Sequence, residues 1–333
     1  MITRRRLLQA SPALALPAGL PGGVPGGVRT LDRVDLVDPA RGRTIATRIH
    51  MPAEPGPWPV VIFSHGFGGS LAAFPTSGRA WAARGVVVIH PTHSDSIQLP
   101  DPDLPSEDAR AIREALVAAV GPRPNGAPLA EVTERPVFLR SRLADITFLQ
   151  TLLRSRDPRL PAAVRERIDP TRMGMAGHSF GAYLTLVACG ARLAPEPPPP
   201  LPAGFRAGLV ISGQGTGRLG LEPGAFDRMS GPLFSVTGSR DFGAAGETPE
   251  WRLEAFRSAR PGRQYAAILD DFRHGDFDAP DGDPVLGKTA GRLRALQSAF
   301  WRATLAGDAS GWTDLDRAAG GSRAGYPMEV RRR

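Results

Sequence analysis

The chain has 333 residues, 41% hydrophobic and 22% charged, enough to bury a full core as one large domain or as a domain with an extension. Its formal charge is +8, yet the 41 basic residues include a single lysine, Lys288, and the arginines are dispersed among acids, which argues against a phosphate-binding stripe and a nucleic-acid partner. A lone cysteine, Cys189, excludes an intramolecular disulfide and any multi-cysteine metal site.

The N-terminus reads as an address. In "TRRRLLQASPALALPAG" (Thr3 to Gly19), Arg4, Arg5 and Arg6 stand directly before a short apolar segment, and the T-R-R-x-L-L order is similar to a twin-arginine export signal. Leu7 to Leu20 is too short and too interrupted to span a bilayer, which takes about 20 apolar residues. The expectation is a protein delivered by export machinery to the periplasm or the exterior, with a mature start between Ala15 and Val28; the alternative is a disordered basic start on a cytoplasmic protein. "GLPGGVPGGVRT" holds neither helix nor strand and reads as a tether. Residues 1–28 are therefore set apart from a domain at 29–310, and 311–333, which lacks periodicity, reads as an extension that is loose or lies along the surface.

"RVDLVD" and "TIATRIH" alternate around "PARG", the pattern of an antiparallel hairpin at a sheet edge. "PVVIFSHG" and "GVVVIHPTH" are continuous β-branched runs suited to strands buried on both faces, and "FPTSGRAWAARG" between them is a crossover helix. "SEDARAIREALVAAV" and "RPVFLRSRLADITFLQTLLRS" carry apolar residues at helical spacing. Then follow "TRMGMAG" (strand), "FGAYLTLVACGARL" (helix), "RAGLVISG" and "GPLFSVTG" (strands), "PEWRLEAFRSA" (helix), "RQYAAILD" (strand) and "TAGRLRALQSAFWRATLAG" (helix). This alternation predicts an α/β fold, a mostly parallel central sheet with helices on both faces and its chemistry at the carboxyl ends of the strands. Two excursions stand outside it: "LAPEPPPPLPAGF" (Leu193 to Phe205), a stiff proline-dense loop, and "SDSIQLPDPDLPSEDA" (Ser94 to Ala109), placed to roof a pocket.

In "GMAGHSFG", Gly177 and Gly181 flank Ser179 two residues to either side, between a strand and a helix. Side chains at those positions would collide in a tight strand-to-helix turn, and that turn lifts a hydroxyl off the sheet beside the first amides of the helix, beginning with Phe180. A serine needs a base. Of the six histidines, His65 opens the glycine-rich loop "HGFGG", whose Phe67 amide is the leading second oxyanion donor. His178 is a sequence neighbour poorly placed to reach Ser179, and His50 ends an edge-like strand and reads as solvated. His90 and His93 form an H-x-x-H pair without a third metal ligand, read as pocket-lining or supporting groups. His274, in the loop after the last strand of the alternating series, is placed to approach the serine from the other side. Asp241, closing "LFSVTGSRD", is the favoured acid to hold it, over Asp270, Asp271 and Asp276; Asp145 on its apolar-striped helix braces a neighbouring loop.

The order Ser179, Asp241, His274 with "HGFGG" upstream resembles the α/β-hydrolase superfamily over about residues 31–305. More narrowly, "PVVIFSHGFGG", "HP", "IDPTRMGMAGHSFGAY", "PLFSVTGSRD" and "LDDFRH" resemble bacterial dienelactone-hydrolase-like esterases related to platelet-activating-factor acetylhydrolases. The resemblance implies Ser179 as nucleophile, His274 as base, Asp241 as acid and the Phe67 and Phe180 amides as oxyanion hole, with no metal or organic cofactor. True dienelactone hydrolases use cysteine where this chain has Ser179, so the lactone substrate is not inherited, and Phe272-Arg273 departs from the family's usual run before the base. The implied activity is hydrolysis of small or medium, uncharged or lipid-like esters through an acyl-enzyme, fastest at neutral to alkaline pH because the base must start unprotonated. Phe67, Phe180, Phe74, Ile97 and Leu99 are the expected pocket neighbours where the loops fold over it, with Phe74 read equally as a core residue below the site. A lipase or polyester hydrolase would use the same residues, and a noncatalytic hydrolase-like binding module is the reading from a different class.

Overall fold

The computed structural model describes residues 27–98, 106–120, 126–194, 203–321 and 327–333. The export-signal reading, Leu99 and the proline run at 195–202 lie outside the described residues. Strand β1 (Val28–Asp38) and β2 (Arg43–Pro52) pair antiparallel, as their alternation predicts. Next come β3 (Trp58–Ser64), α1 (Pro75–Ala82) and β4 (Val87–Pro91). Helices α2 (Ser106–Val120), α3 (Ala127–Thr133), α4 (Pro136–Ser155) and α5 (Ala162–Arg165) lead to β5 (Ile168–His178), α6 (Phe180–Ala188) and β6 (Gly208–Ile211). The chain closes with β7 (Leu233–Arg240), α7 (Glu254–Ser258), β8 (Gln264–Arg273), α8 (Gly287–Trp301), α9 (Ser310–Gly320) and β9 (Met328–Arg332).

The strands form one nine-stranded sheet in the order β1-β2-β4-β3-β5-β6-β7-β8-β9. Pairing is parallel from β4 through β8 and antiparallel at both margins. Successive side chains of a strand leave opposite faces, so a strand covered on both sides must be apolar at every position. In β3, Val60 and Ile62 enter the cluster shared with α4 and α6, whereas Val61 and Phe63 enter the one shared with α1 and α8. The second cluster is anchored by Trp81, Phe300 and Trp301, all fully buried. Each large apolar side chain taken out of water this way contributes roughly 1.5–3 kcal/mol against the entropy of ordering the chain.

Two expectations are corrected. At 311–321 and 327–333 the chain is not a loose extension: most of α9 and all of β9 fall there, and β9 completes the sheet by pairing antiparallel with β8 from Tyr265↔Arg332 to Leu269↔Met328. The sequence "MEVRR" hides this because an edge strand of five residues, half of it facing solvent, needs no apolar run. His50 is not solvated but 1% exposed, its Nδ1 2.9 Å from the Thr30 hydroxyl and its ring edge-on to His90. The antiparallel pairing of β2 with β4 makes β2 an interior strand, and α1 covers the ring, a Cβ on Gly78 standing 2.7 Å from His50 Cδ2. Helices α3 and α5 stand outside the predicted elements; elsewhere the differences are at boundaries: α6 stops at Ala188, and the last long helix passes from α8 into a π-helical turn at Arg302–Ala306.

Candidate active site

The carboxyl ends of β3, β5, β7 and β8 deliver the 65–69 loop, Ser179, Asp241 and His274 to one side of the sheet. Ser179 caps α6 with φ 56° and ψ −118°, a conformation that a side-chain-bearing residue adopts only under constraint. The constraint is close packing of backbone. A Cβ on Gly177 would stand 2.1 Å from the Gly181 carbonyl oxygen, and one on Gly181 would stand 2.0 Å from that of Ser64, so only glycine lets α6 start this near the ends of β3 and β5. The Ser179 amide donates to Ile211 O at 2.9 Å, tying the turn to β6.

His274 Nδ1–H donates to Asp241 Oδ1 at 2.8 Å. Asp241 is fully buried, and its other oxygen accepts from the hydroxyls of Ser212 (2.6 Å) and Thr237 (3.1 Å). Burial by itself would raise this carboxyl; the His274 hydrogen bond, the Arg252 charge and the Ser212 hydroxyl overcome it and hold the group below the usual carboxylate range. The Arg252 guanidinium is 3.0 Å from Asp241 Oδ1 and also donates to the carbonyls of Ser212, Gly213, Asp241 and Phe242, so one buried cation pins the whole acid loop. The rival acids are engaged elsewhere: Asp270 accepts from Ser239, Asp271 pairs with Arg240, and Asp276 accepts the Arg273 amide.

His178 makes no bond to the Ser179 it precedes: its Nε2–H donates to the His274 carbonyl at 2.7 Å, and its ring packs on Phe74 and His274. Burial, with the neighbouring His274 adding to it, pushes the His178 imidazole down to about 3, so it serves as a neutral strut between the Ser179 turn and the His274 loop. The H-x-x-H pair diverges. His90 packs on Phe63 and His50, whereas His93 Nδ1–H donates to Asp145 Oδ2 at 2.8 Å and its Nε2 accepts from the Ser64 hydroxyl at 3.0 Å. Ser64, His93 and Asp145 thus repeat the order of a catalytic triad while sealed in the interior at no more than 1% exposure, and Asp145 does brace a neighbouring segment through Arg41.

A cavity of about 490 Å³ opens beside Ser179 and His274. Phe67 and Phe180 line it as expected, joined by Leu116 of α2, Leu129 of α3, Phe242 and Trp251. Phe74 does not: it lies in the core against Phe63. Ile97 is 42% exposed and outside the lining. Arg218 ties α3 to the rest of the wall by bonding Glu134 (2.6 Å), Glu247 (3.0 Å) and the Ala130 carbonyl (2.8 Å). Among the described residues, none accepts a hydrogen bond from the amide of Phe67 or Phe180, and no cluster of three metal-ligating side chains forms. Sequence reasoning passed over Arg252, Arg218 and Ser212. The first two are unremarkable arginines in an arginine-rich chain until their partners, 10 to 88 residues away, are seen.

Residues 44–99, from β2 through the loop after β4, match the sequence model of the family described as platelet-activating factor acetylhydrolase, isoform II. No curated protein matches the chain. Among solved structures it is similar to the crystal structure described as "Putative Dienelactone Hydrolase" from Klebsiella pneumoniae subsp. pneumoniae, with a TM-score of 0.52 and 16% identity over 84% of this chain and 99% of that one. An identity that low carries the fold and nothing finer: together with the sheet order it gives this chain the α/β fold of that structure, a mostly parallel sheet flanked by helices.

Proposed function

We propose that the chain is a serine carboxylic ester hydrolase acting through an acyl-enzyme on small or medium, uncharged acyl esters. The observation that carries this reading is one cavity walled by both the strained Ser179 and a His274 whose far nitrogen is held by a buried carboxylate. With Nδ1 donating to Asp241, His274 presents Nε2 as the base. It takes the hydroxyl proton as Ser179 attacks the ester carbonyl, and the Phe67 and Phe180 amides receive the developing oxyanion. The imidazolium then protonates the departing alcohol, and water activated by the same base releases the acid.

Leu116, Leu129, Phe242 and Trp251 around the pocket support an apolar acyl group, and walls drawn from α2 and α3 support a substrate that enters a pocket over a polymer lying along a surface. The acetylhydrolase description of the family matched at 44–99 supports a short acyl chain. Export by the twin-arginine-type start at Arg4 and Arg5 is part of the proposal, as is the domain boundary near residue 28. The test is an ester panel from p-nitrophenyl acetate to palmitate plus an insoluble polyester. Wild type should favour the short esters, and Ser179→Ala should lose all turnover while keeping its circular dichroism spectrum. Equal hydrolysis by wild type and Ser179→Ala rejects the nucleophile, and no hydrolysis of any ester by wild type leaves the noncatalytic binding module as the better reading.

A further inference from the structure

The fully buried Arg142 of α4 lies under the 65–69 loop and takes no part in the chemistry above. Its Nη2 donates to the Gly66 carbonyl (3.1 Å) and its Nη1 to the His65 carbonyl (2.6 Å) and the Ser64 hydroxyl (3.1 Å). Nε and Nη2 also hold Asp95 in a two-point fork at 2.8 and 2.7 Å, and Asp95 in turn accepts the Gly68 amide at 2.8 Å. The ring of Phe180 covers the guanidinium at 4.8 Å.

We infer that Arg142, locked by Asp95, is a positioning residue that aims and polarises the Phe67 amide for the oxyanion. The Gly66 carbonyl and the Phe67 N–H belong to one peptide unit, and in a trans peptide those two groups point in opposite directions. The Gly66 oxygen is fastened to the interior by three donors: Arg142, the His65 Nδ1–H (2.6 Å) and the Gly69 amide (3.0 Å). Anchoring the oxygen inward turns the N–H outward. That N–H has no acceptor among the described residues, and its loop is beside the nucleophile, since a Cβ on Gly66 would stand 3.6 Å from the Ser179 Cβ. A cation on the carbonyl end of a peptide also draws electron density from its nitrogen and strengthens the N–H as a donor, an effect that grows as the acceptor gains charge. Stability alone is a poor account of the pair, because buried ion pairs seldom outperform apolar residues of the same volume. The Asp95 anchor on Gly68 holds the loop on the other side of Phe67, and the peptide cannot flip without giving up the Arg142 bond to the Gly66 carbonyl.

This inference rests on the esterase reading. Its test compares wild type with Arg142→Lys and with the double variant Arg142→Gln/Asp95→Asn, which removes both charges and leaves neither partner buried alone. The readouts are kcat and KM for p-nitrophenyl butyrate, the inhibition constant of butylboronic acid, whose tetrahedral adduct on serine carries the oxyanion's charge, and the melting temperature. Expected is a loss of about 10- to 100-fold in kcat, up to the cost of removing one oxyanion donor, with KM nearly unchanged, boronate affinity falling in parallel and Arg142→Lys intermediate. Folded variants with wild-type kcat, or with reduced kcat but unchanged boronate affinity, overturn the inference alone. A wild type that hydrolyses nothing overturns the esterase reading and this inference with it. Should neither variant fold, the wild type labelled with ¹⁵N-phenylalanine still decides: the boronate adduct must shift the Phe67 amide proton downfield, and an unmoved Phe67 resonance refutes the assignment.

Discussion

Replacing Asp241 by asparagine keeps the volume of a fully buried side chain and removes one charge. The amide can settle in two ways. With its NH₂ toward His274 it forces the imidazole to carry its proton on Nε2, which then cannot accept one from Ser179, the arrangement that costs about 10⁴ in kcat in other triads. With its NH₂ toward Ser212 and Thr237, whose hydroxyls at 2.6 and 3.1 Å can rotate to accept, the carbonyl oxygen still faces His274 and the tautomer survives. Only the charge is then lost. An imidazolium and a carboxylate about 4 Å apart at an effective dielectric near 20 attract by about 4 kcal/mol, or about 10³ in rate. That dielectric suits a site where Asp241 is buried while the His274 side chain is 42% exposed. Because Arg252 at 3.0 Å from Oδ1 favours the oxygen-inward orientation, the expected fall in kcat is nearer 10³ than 10⁴. Stopped assays on p-nitrophenyl butyrate with Asp241→Asn, Asp270→Asn and Asp271→Asn decide it. The latter two should keep kcat within about twofold, since Asp270 and Asp271 bond Ser239 and Arg240 and not the imidazole. An Asp241→Asn enzyme retaining more than about a tenth of wild-type kcat would refute the argument.

Gly181→Ala should cost about 1–3 kcal/mol of stability, a drop of several degrees in melting temperature, and most of the activity, because its Cβ would meet the Ser64 carbonyl at 2.0 Å and displace the loop carrying Phe67. Gly320→Ala, whose Cβ would meet nothing within 4 Å, is the control that should melt at or above the wild-type temperature. Stability should also fall steadily on acidification. His50, His65, His90, His93 and His178 are all held below the ordinary histidine value, burial being the leading cause in each. The folded chain keeps them neutral while the unfolded chain protonates them, so their contribution is complete above about pH 7. It is lost as pH drops from about 6.5 toward the folded values of about 4 for His50 and about 3 for His178. Melting curves from pH 8 to 4 measure this, and a flat profile would contradict the burial of those rings.

The strained turn at Ser179 was legible in the sequence because its cause is local: Gly177 and Gly181 lie two residues from Ser179 and admit neighbouring backbone. The parallel strands were legible for a similar reason, since a strand covered on both faces, such as β3, must spell out a continuous apolar run. His274 could be reached by elimination among six histidines, but the choice of Asp241 over Asp270 and Asp271 rests on which carboxylate the β7–β8 pairing brings to the imidazole. Arg142 and Asp95 are 47 residues apart, and Arg252 sits on a helical turn that reads as ordinary amphipathic sequence. A charge in such a position looks like a solvated one until folding strips its water and supplies carbonyls in exchange, and no periodicity encodes that exchange. The same holds for β9, which is a strand only because β8 offers an open edge to pair with.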